Sequence, residues 1–145
     1  MTETLTQQAA VPVVLALLDN LFFTAKLAAA AAQTGWQLLT ARTCVKALSQ
    51  ASSKQLALIV IDLDAQACQP FEFIRAVKAD ELLRALPLLG FVSHVNTGVQ
   101  QQARAAGCDR VLARSAFSRD LPLLLQATIN IERNTSHGKP TQGKS

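Results

Sequence analysis

The stretch Leu56 to Asp64, LALIVIDLD, constrains the fold more than any other. Six consecutive apolar residues, Leu56 to Ile61, run straight into Asp62, with Asp64 two positions on. An uninterrupted apolar run rich in Ile, Val and Leu suits a strand covered on both faces, the usual condition of a parallel sheet. Burying each such side chain contributes roughly 1.5–3 kcal/mol. Sheets of this kind place their chemistry just beyond the carboxyl ends of the strands. Asp62 stands at that point, so the groups that gather around its carboxylate decide what the chain does.

The flanking segments repeat an alternation of strand and helix. Val11 to Leu18 is a second apolar run closed by Asp19-Asn20, and Leu21 to Thr34, with five alanines in succession, reads as helix ending at Gly35. Trp36 to Ala41 is a short strand, and Thr43 is an N-cap for a helix over Cys44 to Gln50. Ala51-Ser52-Ser53 then reads as a connection. After the central strand, Gln69-Pro70 opens a helix that buries Phe73, Ile74 and Val77 and exposes Glu72, Arg75 and Lys78. Pro87 to Val92 is the fourth strand, Asn96 or Thr97 begins a helix that Gly107 ends, and Arg110 to Ala113 is a short fifth strand. Pro122 is expected in the first turn of a last helix reaching about Arg133. Strands alternating with helices imply βαβ units with right-handed crossovers. The expected fold is α/β: a doubly wound, flavodoxin-like, five-stranded parallel sheet in the order 2-1-3-4-5.

The totals set outer limits. With 145 residues, half of them hydrophobic, the chain suits one globular domain over 11–133, with a polar lead at 1–10 and a basic tail at 134–145 expected to be disordered. The formal charge is +4, but Arg133, Lys139 and Lys144 follow the last acid, Glu132, and without these three the rest carries only +1. That argues against a nucleic-acid surface, which needs basic residues clustered on one face. No apolar stretch reaches the ~20 residues of a membrane span, and the polar, acidic start lacks a signal-peptide layout, so a cytoplasmic protein without a membrane partner is expected. Cys44, Cys68 and Cys108 are odd in number and widely spaced, and read as interior free thiols.

At the carboxyl edge the strand ends read Asp19-Asn20, Asp62-Leu63-Asp64, Val92-Ser93-His94 and Arg114-Ser115. Neighbouring carboxylates repel unless a cation lies between them, and Mg²⁺ with one or two carboxylates plus waters is a natural solution. A hydroxyl and a cation beside them suit a phosphoryl group. The bland alternatives are local: Asp19 as N-cap of the first helix, Asp62 capping the next turn, Ser93 in a turn hydrogen bond, Arg114 in a salt bridge to Asp62, His94 in a surface loop, and Asp64 with a solvated side chain.

This ordered set, with LPLLGF for the fourth strand and AGCDRVLARSAF around the fifth, resembles the receiver domain of bacterial response regulators over about residues 11–132. The resemblance implies Asp62 as acceptor of a phosphoryl group from a histidine kinase. It implies Asp19, Asn20, Asp62 and the backbone carbonyl of Asp64 as Mg²⁺ ligands, and Ser93 and Arg114 as phosphate contacts. No independent enzymatic turnover is implied. Output would pass to a signalling partner or to a homodimer, for which the second apolar stripe of the last helix, Leu123 and Ala127, offers a surface.

The departures from the family are specific. Asn20 replaces an acid, Val92 occupies the family's Thr or Ser position in the simplest register, and Arg114-Ser115 replaces Lys-Pro. Val111 stands where the family has its switch aromatic. These departures favour a phosphorylation-independent pseudo-receiver adaptor as the alternative, with a small-molecule-binding flavodoxin-like domain more distant. The absence of GxGxxG, GxxxxGK[ST], CxxC and GxSxG excludes the commonest nucleotide-binding, redox and hydrolase signatures.

Overall fold

The computed structural model describes residues 11–53 and 55–137; the lead at 1–10 and the end of the tail, 138–145, lie outside the described residues. Five strands, β1 (Val13–Leu17), β2 (Gln37–Ala41), β3 (Leu58–Asp62), β4 (Leu88–Val92) and β5 (Arg110–Ala113), alternate with five α-helices. The helices are α1 (Leu21–Thr34), α2 (Cys44–Ser53), α3 (Pro70–Ala79), α4 (Thr97–Ala106) and α5 (Arg114–His137). All strand pairs are parallel and the order is 2-1-3-4-5, as expected.

The period of two along each central strand builds two cores. Val13, Leu15 and Leu17 of β1, with Ile59 and Ile61 of β3, meet α2, α3 and α4 on one face. Val14, Ala16, Leu58 and Val60 meet α1 and α5 on the other. Every residue of β1, β3 and β4 is buried, which accounts for their lack of polar alternation. Gly90 sits where β4 must approach Leu63 and Cys108: a Cβ there would lie 2.8 Å from Leu63 Cδ1 and 3.1 Å from Cys108 Sγ. The three cysteines are buried and unpaired.

Local signals set most helix starts. Thr43 Oγ1 accepts from the Lys46 amide, Asn96 Oδ1 accepts from the Val99 amide, and Pro70 opens α3. α2 runs to Ser53 rather than Gln50. The hydroxyls of Ser52 and Ser53 donate back to the carbonyls of Leu48 and Gln50, and buried Ala51 anchors the added turn.

The last helix differs most from expectation. It begins at Arg114, directly after β5, so Pro122 is interior rather than in the first turn, and it continues to His137, past Arg133. An interior proline removes one backbone hydrogen bond and costs about 3 kcal/mol. Phe117, Leu121 and Leu125, spaced one turn apart and all buried, offset that cost through apolar burial.

Candidate functional site at the carboxyl edge of the sheet

Asp62 ends β3 and is 3% exposed, the one buried charged residue among the described residues. Its register partner on β4 is Phe91, which pairs in turn with Leu112 of β5. Two residues beyond Leu112, at the junction of β5 and α5, Arg114 turns back over this row. Its Nη2 donates to both carboxylate oxygens of Asp62, at 3.3 Å to Oδ1 and 3.2 Å to Oδ2, and lies 3.8 Å from Asp64 Oδ2.

An aromatic bed fixes that guanidinium. Phe91 and Phe117 stack at 4.9 Å between centroids with only 8° between planes, and Phe23 of α1 packs against Phe91 at 4.7 Å. The Arg114 guanidinium carbon lies 5.5 Å from the centroid of Phe91 and 5.7 Å from that of Phe23, within cation–π range. Arginine suits this position because its flat group packs on rings while its edge meets a carboxylate. These three phenylalanines were not legible as site residues. Each sits on a different element, and a Phe in an apolar run reads simply as core.

The Asp64 backbone amide donates to Asp62 Oδ1 at 3.0 Å. The Asp64 side chain is not merely solvated. Its Oδ2 accepts from both the amide and the hydroxyl of Ser93, at 2.7 and 2.8 Å, tying the end of β3 to the turn after β4. The Ser93 hydroxyl therefore faces Asp64. Val92, in the family's hydroxyl position, is buried in the core cluster on the α2–α3–α4 face.

Asn20, rather than Asp19, is the N-cap of α1: its Oδ1 accepts from the Phe23 amide at 2.8 Å. Asp19 is exposed and close enough for its charge to act on Asp62. Residues 19, 62 and 114 thus share one rim, and His94 is an exposed loop residue there. Burial dominates the electrostatics and pushes the Asp62 carboxyl above the ordinary aspartate range. The Asp64 amide and Arg114 pull the other way, while Asp64 and Asp19 add to the upward push. Burial likewise raises the Cys68 thiol, with Asp19 and Asp62 adding to it and Arg42 pulling the other way.

The Mg²⁺ that the resemblance implies finds a poor set of ligands. Both Asp62 oxygens face Arg114, the Asp64 carbonyl accepts from the Gln66 amide at 2.9 Å, and Asn20 Oδ1 caps α1, while the Asp19 side chain is exposed. Among the described residues no three His, Cys, Asp or Glu side chains gather as a metal-holding group.

Comparison with solved structures agrees with the fold. The chemotaxis response regulator CheY4 of Vibrio cholerae aligns with a TM-score of 0.74 at 22% identity, covering 82% of this chain and 99% of its own. A response regulator from Hahella chejuensis gives 0.74 at 22% identity, covering 81% and 94%. One from Thermotoga maritima gives 0.70 at 13%, covering 83% and 98%. No protein-family model and no curated protein matches the sequence. The chain has the fold of CheY-like receiver domains, and its function has to be argued from its own site.

Proposed function

We propose that this chain is a receiver-like signalling module that acts through protein–protein contacts without phosphorylation of Asp62. The observation that carries this reading is the Arg114 guanidinium within hydrogen-bond distance of both oxygens of a buried Asp62. A phosphoryl acceptor needs one carboxylate oxygen open to in-line approach and a cation to draw charge off the incoming group. Here the cation is part of the chain and rests on the acceptor itself.

The pair holds the edge in a single state, and a signalling partner would read that fixed surface. Three unpaired cysteines fit a reducing, cytoplasmic setting, and no helix among the described residues is long and apolar enough to cross a membrane. The second reading is a working receiver, phosphorylated on Asp62 by a histidine kinase with Mg²⁺; the placement of Asp62 at the end of β3, beside Asp19, favours it.

Thermal melts with and without Mg²⁺ and beryllofluoride separate the two, because a species that binds only the folded form raises the midpoint by mass action. The proposal expects an unmoved midpoint. A rise that disappears in Asp62→Asn would replace it with the phosphorylated reading.

A further inference from the structure

We infer that the cavity between α1 and the start of α5 binds a small aromatic monocarboxylate. The cavity is a wide, open depression of about 370 Å³ with Arg114 in its wall. That volume is near the lower end of ligand pockets, which run from about 300 to 1,000 Å³, so it suits a one- or two-ring molecule.

Charge selects the head group. No Asp or Glu side chain lines the cavity, whereas Lys26 and Arg114 both do. Arg114 already faces the carboxylates of Asp62 and Asp64 at 3.2 and 3.8 Å. Lys26 has no acidic partner among the described residues; its Nζ meets the Ser118 hydroxyl at 3.0 Å and lies 5.5 Å from the Phe22 ring centroid. One positive charge therefore stands unbalanced, which matches a carboxylate rather than a phosphate dianion.

Donors are also in surplus. Asn20 gives its oxygen to the Phe23 amide, which leaves its amide N–H groups for another acceptor. The Ser115 hydroxyl lies on the wall beside them. For the body of the ligand the depression offers the ring of Phe22, 72% exposed, next to buried Phe23. Exposed aromatic surface of this kind is a stacking platform for a planar ring. The inference rests on the reading in which Asp62 carries no phosphoryl group, because Asn20, Ser93 and Arg114 line the depression and a phosphoryl group or its metal would claim them. Because Arg114 belongs to both the cavity wall and the Asp62 pair, occupancy would be felt directly at Asp62.

The test is an amide NMR titration of the ¹⁵N-labelled full chain with naphthoate, its neutral counterpart naphthamide, and naphthyl phosphate. Naphthoate is expected to give saturable shifts confined to residues 20–26, 93–94 and 114–118, with naphthamide about tenfold weaker for lack of the charged hydrogen bonds. Lys26→Gln, at an exposed position, is expected to weaken naphthoate about fivefold, the upper range for a partly exposed ion pair, with the remaining spectrum unchanged. The absence of saturable shifts with naphthoate overturns the proposal. So does equal binding of naphthamide, tighter binding of naphthyl phosphate, or indifference to Lys26→Gln.

Discussion

Arg114 Nη2 bridges the two oxygens of Asp62 at 3.2 and 3.3 Å, across a gap of fifty-two positions in sequence. Arg114 lies at the junction of β5 and α5, where no loop intervenes, and Phe23 of α1 and Phe91 of β4, backed by Phe117 of α5, hold its side chain in place. The pair is the structural centre of the site. Its consequences can be measured one by one.

Removing the cation should cost stability. Asp62 is 3% exposed and the Arg114 side chain 31%, so the loss on Arg114→Ala is smaller than for a fully buried pair, at about 1–3 kcal/mol. The loss requires an ionised Asp62, so it should shrink as pH falls through the titration of that carboxyl. Urea unfolding of both proteins at neutral and acidic pH reads this directly. Arg114→Lys should recover part of the loss, because a point charge still meets the carboxylate but a lysine cannot lie flat on the rings.

The raised pKa of Asp62 has its own signature. A carboxyl whose folded pKa lies above its unfolded value, about 3.9, contributes stability below that unfolded value and loses it as pH rises through the folded one. Asp62→Asn removes the titration and should keep the hydrogen bond from the Asp64 amide. The variant should therefore be at least as stable as the natural protein at pH 7. Its advantage over the natural protein should vanish at acidic pH. Denaturant midpoints across pH, compared between the two, check both the sign and the window.

Asp64 should govern the turn after β4. Its carboxylate accepts two short hydrogen bonds from Ser93, so Asp64→Ala should free that turn at a cost of about 1–2 kcal/mol. Hydrogen exchange should show the Ser93 amide losing protection while the amides of β1 keep theirs.

Gly90 should resist even a methyl group. Gly90→Ala would press on Leu63 and on Cys108, both buried, and should destabilise the fold by about 1–3 kcal/mol. Leu63 lies between Asp62 and Asp64, so chemical shifts of both aspartates should move as well. Thermal unfolding with carboxyl NMR separates the two effects.

The sheet was legible in the chain because β1, β3 and β4 are buried on both faces and show as apolar runs, and because Gly35 and Gly107 punctuate the helices at positive φ. The start of α5 was not, because Pro122 is a strong local signal and the spacing of Phe117, Leu121 and Leu125 that overrides it acts only through tertiary packing. At the site, the strand ends placed Asp19, Asp62 and Arg114 on one rim. The strand ends did not say that Asp64 would be the group holding Ser93, or which of Asp19 and Asn20 would cap α1, since both depend on which way a side chain turns at the edge. The aromatic bed under Arg114 joins residues far apart in sequence and left no periodic trace.

Intact-mass spectrometry after incubation with a small phosphodonor and Mg²⁺ tests the central claim most directly. If Arg114 closes Asp62 to phosphoryl transfer, the natural protein gains no phosphoryl mass. A stoichiometric gain that is absent from Asp62→Ala would contradict the account.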